Sequence, residues 1–97
     1  MSPVIRIPTP LREYVDGSTE IEVAADTVGD ALTQLVQRSP RLESFLLDPD
    51  GRLRGFVSVF VNEDDIRALD GPATRLAPRD TVLIVPTIAG GVTSRRA

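Results

Sequence analysis

The chain has 97 residues, 41% hydrophobic and 26% charged, with a formal net charge of −3; this suits one globular domain large enough to bury its own core. It contains no Cys and no His, and all eleven basic residues are Arg. Disulfides, thiolate nucleophiles, sulfur-ligated zinc, the commonest general base and Schiff-base lysines are therefore excluded, and an independent enzyme is not expected.

Val4-Ile5-Arg6-Ile7 reads as a first strand, closed by Pro8 and Pro10. After a turn around Asp16-Gly17-Ser18, the segment Glu20-Ile21-Glu22-Val23-Ala24 alternates with period two and predicts a hairpin partner. Asp26 or Thr27 caps a helix with Asp30 in its first turn. Val28, Ala31, Leu32, Leu35 and Val36 mark its buried face, and Pro40 stops it. Leu42, Phe45 and Leu46 predict a short helical turn under the core. Asp48-Pro49-Asp50-Gly51 has the chemistry of a turn. "RLRGFVSVFVN" then reads as a long Val- and Phe-rich strand. Asn62-Glu63-Asp64-Asp65 turns the chain, Ile66-Arg67 begins a short returning strand, and "ALDGPATRLAPRD" is loop. "TVLIVP" is apolar on both faces and belongs at a sheet centre.

This order predicts an α+β fold of the β-grasp, ubiquitin-like kind. A mixed sheet of four to five strands carries one main helix on one face and ends in a free C-terminal tail. The domain spans 1–86, a Gly-Gly tail 87–91 and an extension 92–97. The valines of the long strand, with Val82 and Ile84, are expected to face the helix. Phe60, Leu83 and Val85 then form an apolar patch on the outer sheet face, a partner-docking surface. Glu63-Asp64-Asp65 is either a solvated turn or a contact for arginines of a partner. Its carboxylate spacing does not fit a calcium loop, and no metal site is expected.

The acidic balance argues against nucleic acid as a partner. No apolar run approaches the length of a membrane span. Prolines break the opening "MSPVIRIPTP", so no leader is expected and the predicted localisation is cytoplasmic.

"IPTPLR", "DTVGDAL", "LDPDGRLRGFVSVFVNEDDIR" and "RDTVLIVPTIAGG" together resemble the MoaD/ThiS family of ubiquitin-like sulfur carriers, most of all the CysO-type carriers of cysteine biosynthesis. The resemblance implies that the Gly91 carboxylate is adenylated and becomes a thiocarboxylate, with Gly90 and Ala89 as recognition residues of the tail. It implies three partners: an E1-like adenylyltransferase/sulfurtransferase, a PLP-dependent cysteine synthase or other acceptor enzyme, and a JAMM-type zinc metalloprotease. ATP with magnesium, PLP and zinc would belong to those enzymes and none to this chain. Glycines suit a narrow channel because they have no Cβ to clash and reach backbone angles closed to other residues.

The family pattern stops at Gly-Gly, whereas this chain continues with "VTSRRA". The expectation is a precursor cut between Gly91 and Val92. The alternatives are an extension that is not native to the chain, or a paralogue that has lost the carrier role. The sulfur's destination also stays open among cysteine, a thio-containing secondary metabolite, molybdopterin and thiamine. So does a second function, a ubiquitin-like modifier conjugated through Gly91. A plain interaction domain is the third reading.

Overall fold

A computed structural model of the protein describes residues 2–86. Alternation builds its sheet. Strands β1 (Val4–Arg6), β2 (Glu20–Glu22), β3 (Val57–Val61), β4 (Asp64–Asp65) and β5 (Thr81–Pro86) lie in the order β2-β1-β5-β3-β4. β5 is the centre, as its two apolar faces require. It runs parallel to β1 with Ile5 opposite Val82, and antiparallel to β3 with Val59 opposite Ile84. Every second residue along these strands, Ile5, Ile21, Val57, Val59, Val61, Val82 and Ile84, is buried on one face.

Helix α1 (Val28–Arg38) covers that face. Thr27 is the N-cap, its hydroxyl accepting from the Asp30 N–H at 3.2 Å, and Val28, Ala31, Leu32 and Leu35 enter the core. Val36, expected in the core, is only half-buried against it, because it sits at the edge of the helix's apolar stripe. Leu35 is fully buried. Its replacement by Ala should destabilise the fold by about 2–5 kcal/mol through lost burial and the cavity left behind. Exposed Gln37→Ala should stay within about 0.5 kcal/mol. Urea midpoints of the two variants check this, and equal midpoints would contradict the packing described.

The connections depart from the sequence-based expectation in four places. Between β1 and β2 the turn expected at Asp16-Gly17 is present, but a 3-10 helix over Thr9–Val15 precedes it. Pro10 starts that helix, and Leu11 and Val15 are buried beneath it. Arg41 stacks over Tyr14 at 4.8 Å and ties this segment to the next connection. There, as the sequence predicts, the chain forms a short helical segment: a 3-10 turn (Pro40–Leu42) leads into α2 (Glu43–Leu46), burying Leu42 and Leu46.

The long strand expected over 52–62 is confined to Val57–Val61. Arg52–Arg54 instead fold back on the end of α2, through Asp48 N–H to Arg52 C=O at 2.7 Å and Arg54 N–H to Leu46 C=O at 2.9 Å. The turn before β3 is closed by Val57 N–H on Arg54 C=O at 3.0 Å.

The return strand comes earlier than Ile66-Arg67. Asn62 takes the left-handed conformation (φ 57°), which asparagine tolerates better than most residues, so the chain reverses at once and Asp64–Asp65 pair with Val61 and Phe60. Ile66–Ala68 is a 3-10 turn capped by Asp65. β2 ends at Glu22 rather than Ala24. The Gln34 side-chain amide donates to Ala24 C=O at 2.7 Å and accepts from Ala24 N–H at 3.2 Å, standing in for a strand partner.

Candidate functional site

The face of the sheet away from α1 carries the predicted patch. The pleat that sends Val57, Val59 and Val61 inward turns Ser58 and Phe60 outward, and in β5 it does the same for Leu83 and Val85. Register sets Phe60 opposite Leu83 and Ser58 opposite Val85. Phe60, Leu83 and Val85 are half-buried and form an apolar strip over the sheet centre. Phe56 does not join it. It lies before β3 and meets Phe45 edge-on, ring centroids 5.7 Å apart.

Charged groups border the strip on both sides. Across β1 and β2, Arg6 and Glu20 form an exposed ion pair at 3.8 Å, of a kind that adds little stability. On the other side, Asp65 stands opposite Phe60. Its Oδ1 accepts from the Arg67 backbone N–H at 2.8 Å, and its Oδ2 accepts from Arg67 Nη2 at 2.7 Å. Arg67 Nη2 also donates to Ser58 Oγ at 3.1 Å.

The acid cluster is thus not three solvated carboxylates offered to a partner. Asp65 is taken up by Arg67 in a pair of no net charge, and Glu63 and Asp64 are the exposed acids that remain. Sequence reasoning missed Arg67 and Ser58. The available signal was the Asp-x-Arg spacing, which places the arginine's N–H on an aspartate two residues earlier.

The side-chain and then the backbone hydrogen bonds from Arg67 hold the Asp65 carboxyl below its ordinary value of 3.8. The held form is the carboxylate. The pinned geometry is therefore present above the ordinary range and is lost as pH falls through the lowered pKa. An NMR titration of the Asp65 carboxyl carbon should give a midpoint below 3.8, moving back toward it in Arg67→Ala. A midpoint unmoved by that substitution would contradict the pairing.

The strip ends where β5 ends, at Pro86 opposite Val57. The chain therefore leaves the middle of the sheet next to Val85. The predicted tail residues Ala89, Gly90 and Gly91 and the predicted cleavage residue Val92 lie outside the described residues. Among the described residues there is no cluster of three or more acidic, His or Cys side chains able to hold a metal ion. No helix among them is long and apolar enough to cross a membrane.

Over residues 5–91, nearly the whole chain and ending on Gly91, the sequence matches the ThiS family. The chain belongs to the ThiS family. It is 36% identical over 93 residues to the sulfur carrier protein CysO of Mycobacterium tuberculosis, an alignment covering 94% of this chain and 100% of that relative. A chain of the Amycolatopsis orientalis BexX/CysO complex superposes with a TM-score of 0.84 at 29% identity, covering 93% of this chain and 100% of that one. Small archaeal modifier protein 1 of Haloferax volcanii is 39% identical over 80 residues, 79% of this chain and 87% of the relative. The ubiquitin-like β-grasp expected from the element order is the fold of this family member.

Proposed function

We propose that this chain is a sulfur carrier whose working group is the C-terminal carboxylate of Gly91, exposed once residues 92–97 are removed. The observation that carries this reading is the family match, which ends on Gly91, six residues before Ala97. A chain without Cys, His or Lys offers little other chemistry, and a terminal carboxylate needs none from the body. The carrier itself is not an enzyme and binds no cofactor. It supplies a docking face and reach.

The chemistry follows from the weakness of a carboxylate as an electrophile. Transfer of AMP from ATP, with loss of pyrophosphate, turns Gly91 into an acyl adenylate with a good leaving group. Sulfide attack on the carbonyl carbon expels AMP and leaves a thiocarboxylate. Both steps take place in a partner's site, which aligns carbon, leaving group and nucleophile. Gly91 lies five residues beyond Pro86, a span of at most about 18 Å. The partner's site must therefore lie close to the end of the sheet, and the strip of Phe60, Leu83 and Val85 beside that end is the surface it docks on. Three partner enzymes serve the cycle: an E1-like adenylyltransferase, a PLP-dependent cysteine synthase as the favoured acceptor, and a JAMM-type zinc protease that frees Gly91. The cycle is placed in the cytoplasm.

The similarity to small archaeal modifier protein 1 favours a second reading, in which the same activated Gly91 is joined to protein amines. Both readings share adenylation and differ in the nucleophile. An ATP–pyrophosphate exchange assay with the host's activating enzyme tests the shared step. Exchange should depend on a chain ending at Gly91, and exchange indifferent to that chain would sink both readings.

A further inference from the structure

Along the open edge of β3, from α1 on the helix side to Asp65 and Arg67 at the rim, runs a groove of about 650 Å³. It exists because β4 pairs only with Phe60 and Val61, so the Val57–Val59 flank has no neighbouring strand among the described residues. The folded-back Leu47–Leu53 segment walls one side. At the far end α1 closes on the Gly71–Ala73 turn, where a Cβ on Gly29 would meet the Pro72 carbonyl oxygen at 3.2 Å. Leu32, Leu53, Val57, Val59 and Ile66 line it.

Its charge runs against that of the chain. Arg52, Arg54 and Arg67 line it with one acid, Asp65, which is already bound by Arg67, whereas the whole chain carries −3. Two of these arginines are held in place. Arg54 Nε donates to Ser44 C=O at 2.8 Å, and Arg67 is fixed by Asp65 and Ser58. Among the described residues the Nη groups of Arg54 and the Nη1 of Arg67 have no hydrogen-bond partner. A guanidinium already fixed loses little freedom when a carboxylate arrives, and its fork geometry fits that group.

We propose that this groove holds an acidic segment of a partner protein, its carboxylates on Arg54 and Arg67 and its apolar side chains on the floor. The chain's own residues 87–97 fit poorly, since they contain no Asp or Glu and include Arg95 and Arg96. Val57 lines the groove and stands opposite Pro86, so one partner engages the groove and the tail together. Assigning the segment to the enzyme that takes the tail rests on the carrier reading, whereas the chemistry of the groove does not.

The test is an amide NMR titration of the full chain with a blocked octapeptide of alternating leucine and glutamate, and with its leucine–lysine counterpart. The glutamate peptide should shift the amides of Leu32, Leu53, Val59 and Ile66, more weakly as salt rises. The double variant Arg54→Glu with Arg67→Glu should bind it about tenfold less tightly and turn to the lysine peptide, with the Ile5 and Leu35 amides unmoved as a check of the fold. The proposal is overturned by no shifts, by equal binding of both peptides, or by shifts centred on Phe60 and Leu83. Concentration-dependent shifts at the groove without peptide would assign it to a second copy, and tighter binding after removal of residues 92–97 would assign it to the tail. Either outcome also overturns the proposal. The titration involves neither ATP nor Gly91 chemistry, so its failure leaves the carrier reading standing, and failure of the exchange assay leaves the groove untouched.

Discussion

Incubated with ATP, sulfide and its activating enzyme, a chain ending at Gly91 should gain a thiocarboxylate while the full 97-residue chain stays unmodified. The contrast is expected to be all or none, because in the longer chain the Gly91 carbonyl belongs to a peptide bond and has no carboxylate oxygen to adenylate. The terminal carboxylate is then on Ala97, six residues further along and next to a Cβ that a glycine channel excludes. Adding the protease should convert the inert form to the active one. In the chain ending at Gly91, Gly90→Val should slow modification by about 100-fold, the penalty of a small misplacement at a reacting carbon. Intact mass spectrometry reads each case, and thiocarboxylation of the uncut chain would refute the precursor idea.

The second large effect is expected on the outer sheet face. Phe60→Ala and Leu83→Ala should each weaken binding to the activating enzyme by about 2–4 kcal/mol, roughly 30-fold or more in Kd, as central apolar anchors of interfaces do. Both side chains are half-buried on the face away from the core cluster, so truncation should leave the fold intact. Glu22→Ala, on the same face of edge strand β2, should change affinity little. Calorimetry with chains ending at Gly91 separates these cases. Undiminished affinity in both apolar variants would remove the strip from the interface.

The parts of the fold legible in the sequence were those where period and burial coincide. Val28 to Leu35 repeat with the helical period and enter the core, and "TVLIVP" is apolar on both faces and sits at the sheet centre. The division of β3 into inward valines and outward Ser58 and Phe60 followed from the pleat alone. Legibility failed where a local hydrogen bond decided the path. Nothing in the pattern of "RLRGFVSVFVN" says that Arg52–Arg54 pair back to α2, because that pairing depends on where Leu46 and Asp48 lie.

Likewise Asp65 read as one of three acids in a turn. Its capture of Arg67 follows from the left-handed Asn62, which reverses the chain early and leaves Arg67 outside a strand. Gly91 stands out in the sequence by its place in the family pattern, at the end of the family match, and lies outside the described residues. The groove was not legible, since its arginines come from segments that only the short β4 and the folded-back loop bring together.

The carrier reading is tested most directly by intact mass spectrometry of the protein taken from its own cells under sulfur demand. The account predicts a species that ends at Gly91 with one carboxylate oxygen replaced by sulfur. Recovery of only the full-length chain, or of Gly91 joined by amide bonds to other proteins with no thiocarboxylate form, would contradict it.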